Sequence, residues 1–77
     1  MYSQQLKAFV LVAQRGSLSK AAEDLYVTPA SVMKQINALE DRLEVTLFTR
    51  TNQGMALTEA GRYLYGAAQK LMAESEA

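Results

Sequence analysis

Two cations stand alone in otherwise uncharged stretches of the sequence. Lys34 is the only charged residue between Val27 and Leu39, and Arg50 is the only one between Val45 and Leu57. Hydroxyl and amide side chains accompany both: Thr28, Ser31 and Asn37 around the first, Thr51, Asn52 and Gln53 after the second. A surface built from these stretches carries no negative side chain. Its chemistry is recognition of an anion by charge and hydrogen bonds. Chemistry on a substrate is poorly served. The chain has no histidine and no cysteine, which removes the usual general base, the commonest metal ligand and any thiolate site. Glu40, Asp41 and Glu44 cluster at the far end of one predicted helix, and Glu74 and Glu76 lie at the C-terminus. No carboxylate pair stands in a pocket-like context, and no nucleophile has a base. The expectation is a binding module, not an enzyme, with no metal and no cofactor of its own.

The elements that position these groups follow from apolar spacing. Leu6, Phe9, Val10 and Ala13 recur at helical intervals and make one face of a first helix. Arg15-Gly16 ends it, with the glycine suited to a left-handed position. Ser17 or Ser19 caps a short second helix, Lys20 to Leu25, whose inner face is Ala21, Ala22 and Leu25. Tyr26-Val27 is a tight connection. Thr28-Pro29 then opens a third helix, with Thr as N-cap and Pro at the first helical position. Val32, Ile36, Leu39 and Leu43 form its core face. Ala30, Met33, Lys34 and Asn37 form its other face, so Met33 is expected in solvent. Val45 to Arg50 and Met55 to Leu57 predict a hairpin around Thr51-Asn52-Gln53-Gly54. Thr58-Glu59 opens a fourth helix with the stripe Leu64, Ala67, Ala68 and Leu71, and with Tyr63 beside it.

The bulk properties fit one small domain. The chain has 77 residues, 49% of them hydrophobic, enough for a single core. No apolar run approaches the ~20 residues that span a bilayer. The polar start, Met1-Tyr2-Ser3-Gln4-Gln5, does not resemble a signal peptide, so a cytoplasmic location is expected. The formal net charge is zero. That counts against a nucleic-acid partner, because phosphate neutralisation supplies much of such affinity. The carboxylate-free stretches around Lys34 and Arg50 soften the objection.

The order helix, short helix, tight turn, helix, hairpin, helix is a mainly α, winged helix-turn-helix. The major groove of DNA admits one α-helix, whose N-terminal residues reach base edges while its neighbours hold the backbone. The residues also resemble a family. Leu6-x-x-Phe9, Gly16-Ser17-Leu18-Ser19-x-Ala21-Ala22-x-x-Leu25-x-Val27, Gln35-Ile36-x-x-Leu39-Glu40, Leu47-Phe48-x-Arg50 and Leu57-Thr58-Glu59-Ala60-Gly61 are similar to the N-terminal domain of LysR-type bacterial transcriptional regulators. The resemblance runs in register over nearly the whole chain. It implies sequence-specific binding to double-stranded DNA, with residues 1–57 as the winged unit and 58–77 as a linker helix that pairs in a dimer. Tetramers are implied for a full-length protein. The resemblance also implies a C-terminal effector-binding domain, absent here, as the place for any small-molecule effector.

By the same resemblance, base reading falls on Thr28, Pro29, Ala30, Met33 and Lys34. Ser17, Ser19, Lys20, Thr28, Ser31 and Arg50 are expected at the DNA backbone, with Asn37, Thr51, Asn52 and Gln53 alongside. Tyr63, Leu64, Ala67, Ala68 and Leu71 are the expected dimer contacts. The chain departs from the family pattern at Met33, where Ser is frequent, and at Lys34, where Arg is common. It departs again at Glu44, where Gly usually closes the helix, and at Thr46, where Pro is frequent. Met33 offers only apolar contact, for instance to a thymine methyl. Lys34 is a point charge, not a bidentate fork.

Plainer readings stand beside these. Lys34 can be a solvated lysine and Arg50 an ordinary hairpin charge. Ser17 and Ser19 can serve as caps, and Asn52 and Gln53 as turn residues. A molybdate-responsive type of winged-helix regulator shares the pattern. A winged-helix protein-interaction module is the alternative from another class, and net neutrality favours it.

Overall fold

The computed structural model describes residues 4–76, with side-chain surroundings for residues 4–71. The N-terminal reading of Met1 to Ser3 and the last residue, Ala77, lie outside the described residues. The elements are α1 (Gln4–Arg15), α2 (Leu18–Leu25), α3 (Pro29–Leu43), β1 (Phe48–Thr51), β2 (Gly54–Leu57) and α4 (Glu59–Glu76). The strands pair antiparallel, with Phe48 opposite Leu57 and Thr51 opposite Gly54.

α1 is the central element and packs on α2, α3, α4 and β2. This explains why its buried face is wider than the sequence stripe: Ala8 and Val12 are buried with Phe9 and Val10. Val32, Ile36 and Leu39 of α3, Ala21 and Ala22 of α2, Leu47, Phe48 and Ala68 complete the core. The Phe9 and Phe48 rings meet at 5.4 Å between centroids, tilted by 52°, an attractive aromatic geometry. Phe48 thereby anchors the base of the wing to the helical core.

Helix termini follow the sequence closely. Gly16 closes α1 with φ 67°. Ser17 caps α2, its hydroxyl oxygen accepting from the Lys20 N–H at 3.3 Å. α2 therefore begins at Leu18, two residues before the expected Lys20. The Thr28 hydroxyl oxygen accepts from the Ser31 N–H at 3.1 Å, and the Thr58 hydroxyl oxygen accepts from the Gly61 N–H at 3.0 Å.

Three expectations are corrected. Leu43 is 44% exposed. It lies on the core face of α3, but the helix overshoots the core there. Met33 is half-buried and packs against the core. At ~100° per residue it sits at the margin of the Val32–Ile36 face, not opposite to it. The first strand begins at Phe48, not Val45. The backbone groups ahead of it are engaged elsewhere: the Leu47 N–H donates to the Glu40 carboxylate at 2.7 Å, and the Leu47 carbonyl accepts from the Thr58 N–H at 2.9 Å.

Candidate nucleic-acid interface

α3 presents a clean outer ridge. Ala30, Lys34 and Asn37 are exposed, and Pro29 and Thr28 lead into them at the N-terminal end. The helical angle places Ala30, Lys34 and Asn37 opposite the Val32–Ile36–Leu39 core face. Asp41 comes two helical turns after Lys34, toward the other end of α3. The first half of the helix therefore offers one flexible cation among small and amide side chains, the kind of surface a major groove can accept.

The wing is held against this helix pair by backbone chemistry. The Met55 N–H donates to the Gly16 carbonyl at 3.2 Å. Gly54 approaches the same carbonyl so closely that a Cβ would collide with it, and its φ of 129° also suits only glycine. These contacts draw the hairpin onto the α1–α2 turn. They close a shallow cleft lined by Ser17, Ser19, Pro29, Arg50 and Thr51. Residues far apart in sequence thus share one concave surface beside the α3 N-terminus. No carboxylate lines it.

The hydrogen-bond roles divide these residues. Ser17 and Thr28 accept from backbone N–H groups at their caps, which leaves each O–H proton available to a phosphate oxygen. Thr51 differs. Its hydroxyl donates to the Gly54 carbonyl at 3.1 Å and accepts from the Gln53 N–H at 3.2 Å. Its single proton is used, so Thr51 shapes the wing turn. Ser19, Lys20, Arg50, Asn52 and Gln53 are exposed. Ser31 is half-buried and turns toward α1, away from the wing cleft.

The five expected dimer residues separate. Tyr63 is 83% and Leu71 45% exposed, and Ala67 is exposed with them. Leu64 is half-buried against the core. Ala68 is 2% exposed, a core residue of the chain itself, because α4 lays that side against α1. Tyr63 and Leu64 share a mainly apolar cleft with Leu43 and Val45.

Sequence reasoning missed two residues that set the ends of α2 and α3. Tyr26 closes α2 in the left-handed conformation, φ 59°, and is 95% exposed. Its signal is the lack of glycine at a helix end that must turn tightly. Glu40 ties the end of α3 to the wing strand; the acidic grouping with Asp41 and Glu44 concealed that role.

Comparison with known proteins agrees with this geometry. Residues 3–62 match the model of the bacterial regulatory helix-turn-helix protein, lysR family. The chain is 46% identical over 72 residues to the HTH-type transcriptional regulator YofA of Bacillus velezensis, covering 94% of this chain and 25% of that protein. It is 46% identical over 65 residues to the HTH-type transcriptional activator AllS of Klebsiella pneumoniae, covering 84% and 24%. The chain thus spans about a quarter of the length of these two relatives. The DNA-binding domain of CbnR in its DNA complex superposes with a TM-score of 0.88 at 34% identity, over 99% of this chain and 87% of that one. The BenM DNA-binding domain bound to catB site 1 DNA gives 0.90 at 30% identity, over 99% and 85%. The four helices, the wing and the family match agree over most of the chain, which belongs to the lysR family of bacterial regulatory helix-turn-helix proteins.

Proposed function

We propose that this chain binds double-stranded DNA sequence-specifically, as the DNA-reading part of a transcriptional regulator. The observation that carries the reading is the continuous carboxylate-free surface formed by the outer ridge of α3 and the wing cleft. α3 enters the major groove. Lys34, Ala30 and Pro29 meet base edges, and the partly tucked Met33 offers its exposed edge to an apolar group such as a thymine methyl. Ser17, Ser19, Lys20, Thr28 and Arg50 hold phosphates, with Asn52 and Gln53 at the wing tip. Asn37 extends the reading ridge.

Residues 1–57 are the reading unit and 58–77, which carry α4, the linker segment. The reading is of a homodimer joined through Tyr63, Ala67 and Leu71 on a pseudo-palindromic site, because two-fold protein symmetry is mirrored in the DNA. The chain needs no cofactor for this. A small-molecule effector belongs to a domain outside residues 1–77, and a tetramer belongs to the full-length protein. The working compartment is the cytoplasm, and the role is regulatory, not enzymatic.

A salt series tests the reading. With a labelled duplex, the logarithm of affinity falls linearly with the logarithm of salt as phosphate-bound counterions are released. The zero net charge favours the alternative of a protein-interaction module. A salt-independent association, with no preference among duplexes, would support that alternative and sink the DNA reading.

A further inference from the structure

A second polar cleft lies between α1 and α3, away from the wing. It is lined by Gln4 and Lys7 of α1 and by Ser31 and Gln35 of α3, with Leu25 and Val27 among its apolar lining. No carboxylate lines it. The one described ion pair joins Arg15 to Asp24, so Lys7 has no anionic partner among the described residues. Lys7 also stands in the first turn of α1, where a helix dipole disfavours a cation. Its position therefore has no evident stabilising reason within the fold. Ser31 and Gln35 sit one turn apart on α3 and border the outer ridge on the α1 side. Pro29 and the wing cleft border it on the other.

A helix seated in the major groove is flanked by the phosphates of both strands. We infer that the α1–α3 cleft is a second phosphodiester seat. Lys7 supplies its charge, and Gln4, Ser31 and Gln35 donate hydrogen bonds to the same backbone segment. This deepens the DNA reading above and rests on it. It gives α3 a clamp on both flanks: Arg50 with Ser17 on one side, Lys7 with Ser31 on the other. It also assigns Ser31 to the opposite strand from the wing residues.

The test is a salt series on a labelled duplex with the parent chain, Lys7→Gln, Gln35→Ala, and Lys70→Gln as a charge-matched control at an exposed position of α4. Lys7→Gln is expected to weaken specific and random duplexes by the same factor and to flatten the log–log salt slope by about 0.9. Gln35→Ala is expected to weaken both duplexes with the slope unchanged. Thermal melts of the variants confirm that the fold is intact. A Lys7→Gln slope equal to the parent's, or a loss no larger than that of Lys70→Gln, overturns the inference while leaving DNA binding in place. A parent chain without salt-dependent duplex binding overturns the DNA reading itself.

Discussion

The Glu40 carboxylate accepts the Leu47 N–H at 2.7 Å and lies 3.4 Å from the Phe48 nitrogen, linking the end of the reading helix to the first strand of the wing. These two elements carry the two halves of the proposed DNA surface. Glu40→Ala leaves two part-buried N–H groups without their acceptor. It should destabilise the chain by about 1–3 kcal/mol in a denaturant titration. Surviving protein should bind DNA more weakly, because Arg50 is no longer fixed relative to Lys34.

Glu44 closes α3 in the left-handed conformation, φ 57°. An L side chain there is strained by roughly 1–2 kcal/mol, and Glu44 also follows Glu40 by one helical turn, a like-charge spacing. Glu44→Gly relieves both and should raise the denaturation midpoint, with a gain of about 1 kcal/mol. DNA affinity should stay unchanged, since the residue lies at the far end of α3.

Gly61 is buried in α4, and a Cβ on it would collide with the Leu47 carbonyl and press on the Leu57 side chain. That carbonyl already accepts from the Thr58 N–H, so it cannot retreat freely. Gly61→Ala should destabilise the fold by more than the small helix-propensity gain of alanine, about 1 kcal/mol, can offset. Gly66→Ala has open space around the new methyl and should be stabilising. Opposite signs for the two substitutions in thermal melts check the packing of α4 on the wing base.

Lys34 stands on the exposed ridge with no carboxylate nearby in sequence. Lys34→Ala should cost ~1–3 kcal/mol on a cognate duplex and relax the preference at the base it meets. Equal losses on every duplex, with a salt slope reduced by about one, would make it a phosphate contact instead. Lys34→Arg should sharpen discrimination for guanine, because the guanidinium fork can engage two acceptors at once.

Local chemistry made much of this molecule legible in its sequence. Thr28-Pro29 marked the start of α3 and Gly16 the end of α1, because caps are written in single residues; Ser17 and Ser19 were both open as the α2 cap, and the structure takes Ser17. The ridge Ala30–Lys34–Asn37 could be read because helical angle alone fixes it. Leu43 and Met33 could not be placed, because the length of the core and its margin are tertiary properties. Ala68 was assigned to a partner because the sequence shows a stripe but not which neighbour covers it. Glu40 was hidden for the same reason: its acceptors' partners arrive from residues seven and eight positions later. The wing cleft depends on the approach of Gly54 to Gly16, and no local pattern announces that contact.

The most direct measurement is selection of bound duplexes from a random DNA pool by the purified chain, run alongside a covalently joined dimer. The account predicts enrichment of a two-fold symmetric motif with fixed half-site spacing, and loss of discrimination at one position of each half-site with Lys34→Ala. A joined dimer that enriches no motif would contradict sequence-specific DNA reading by this surface.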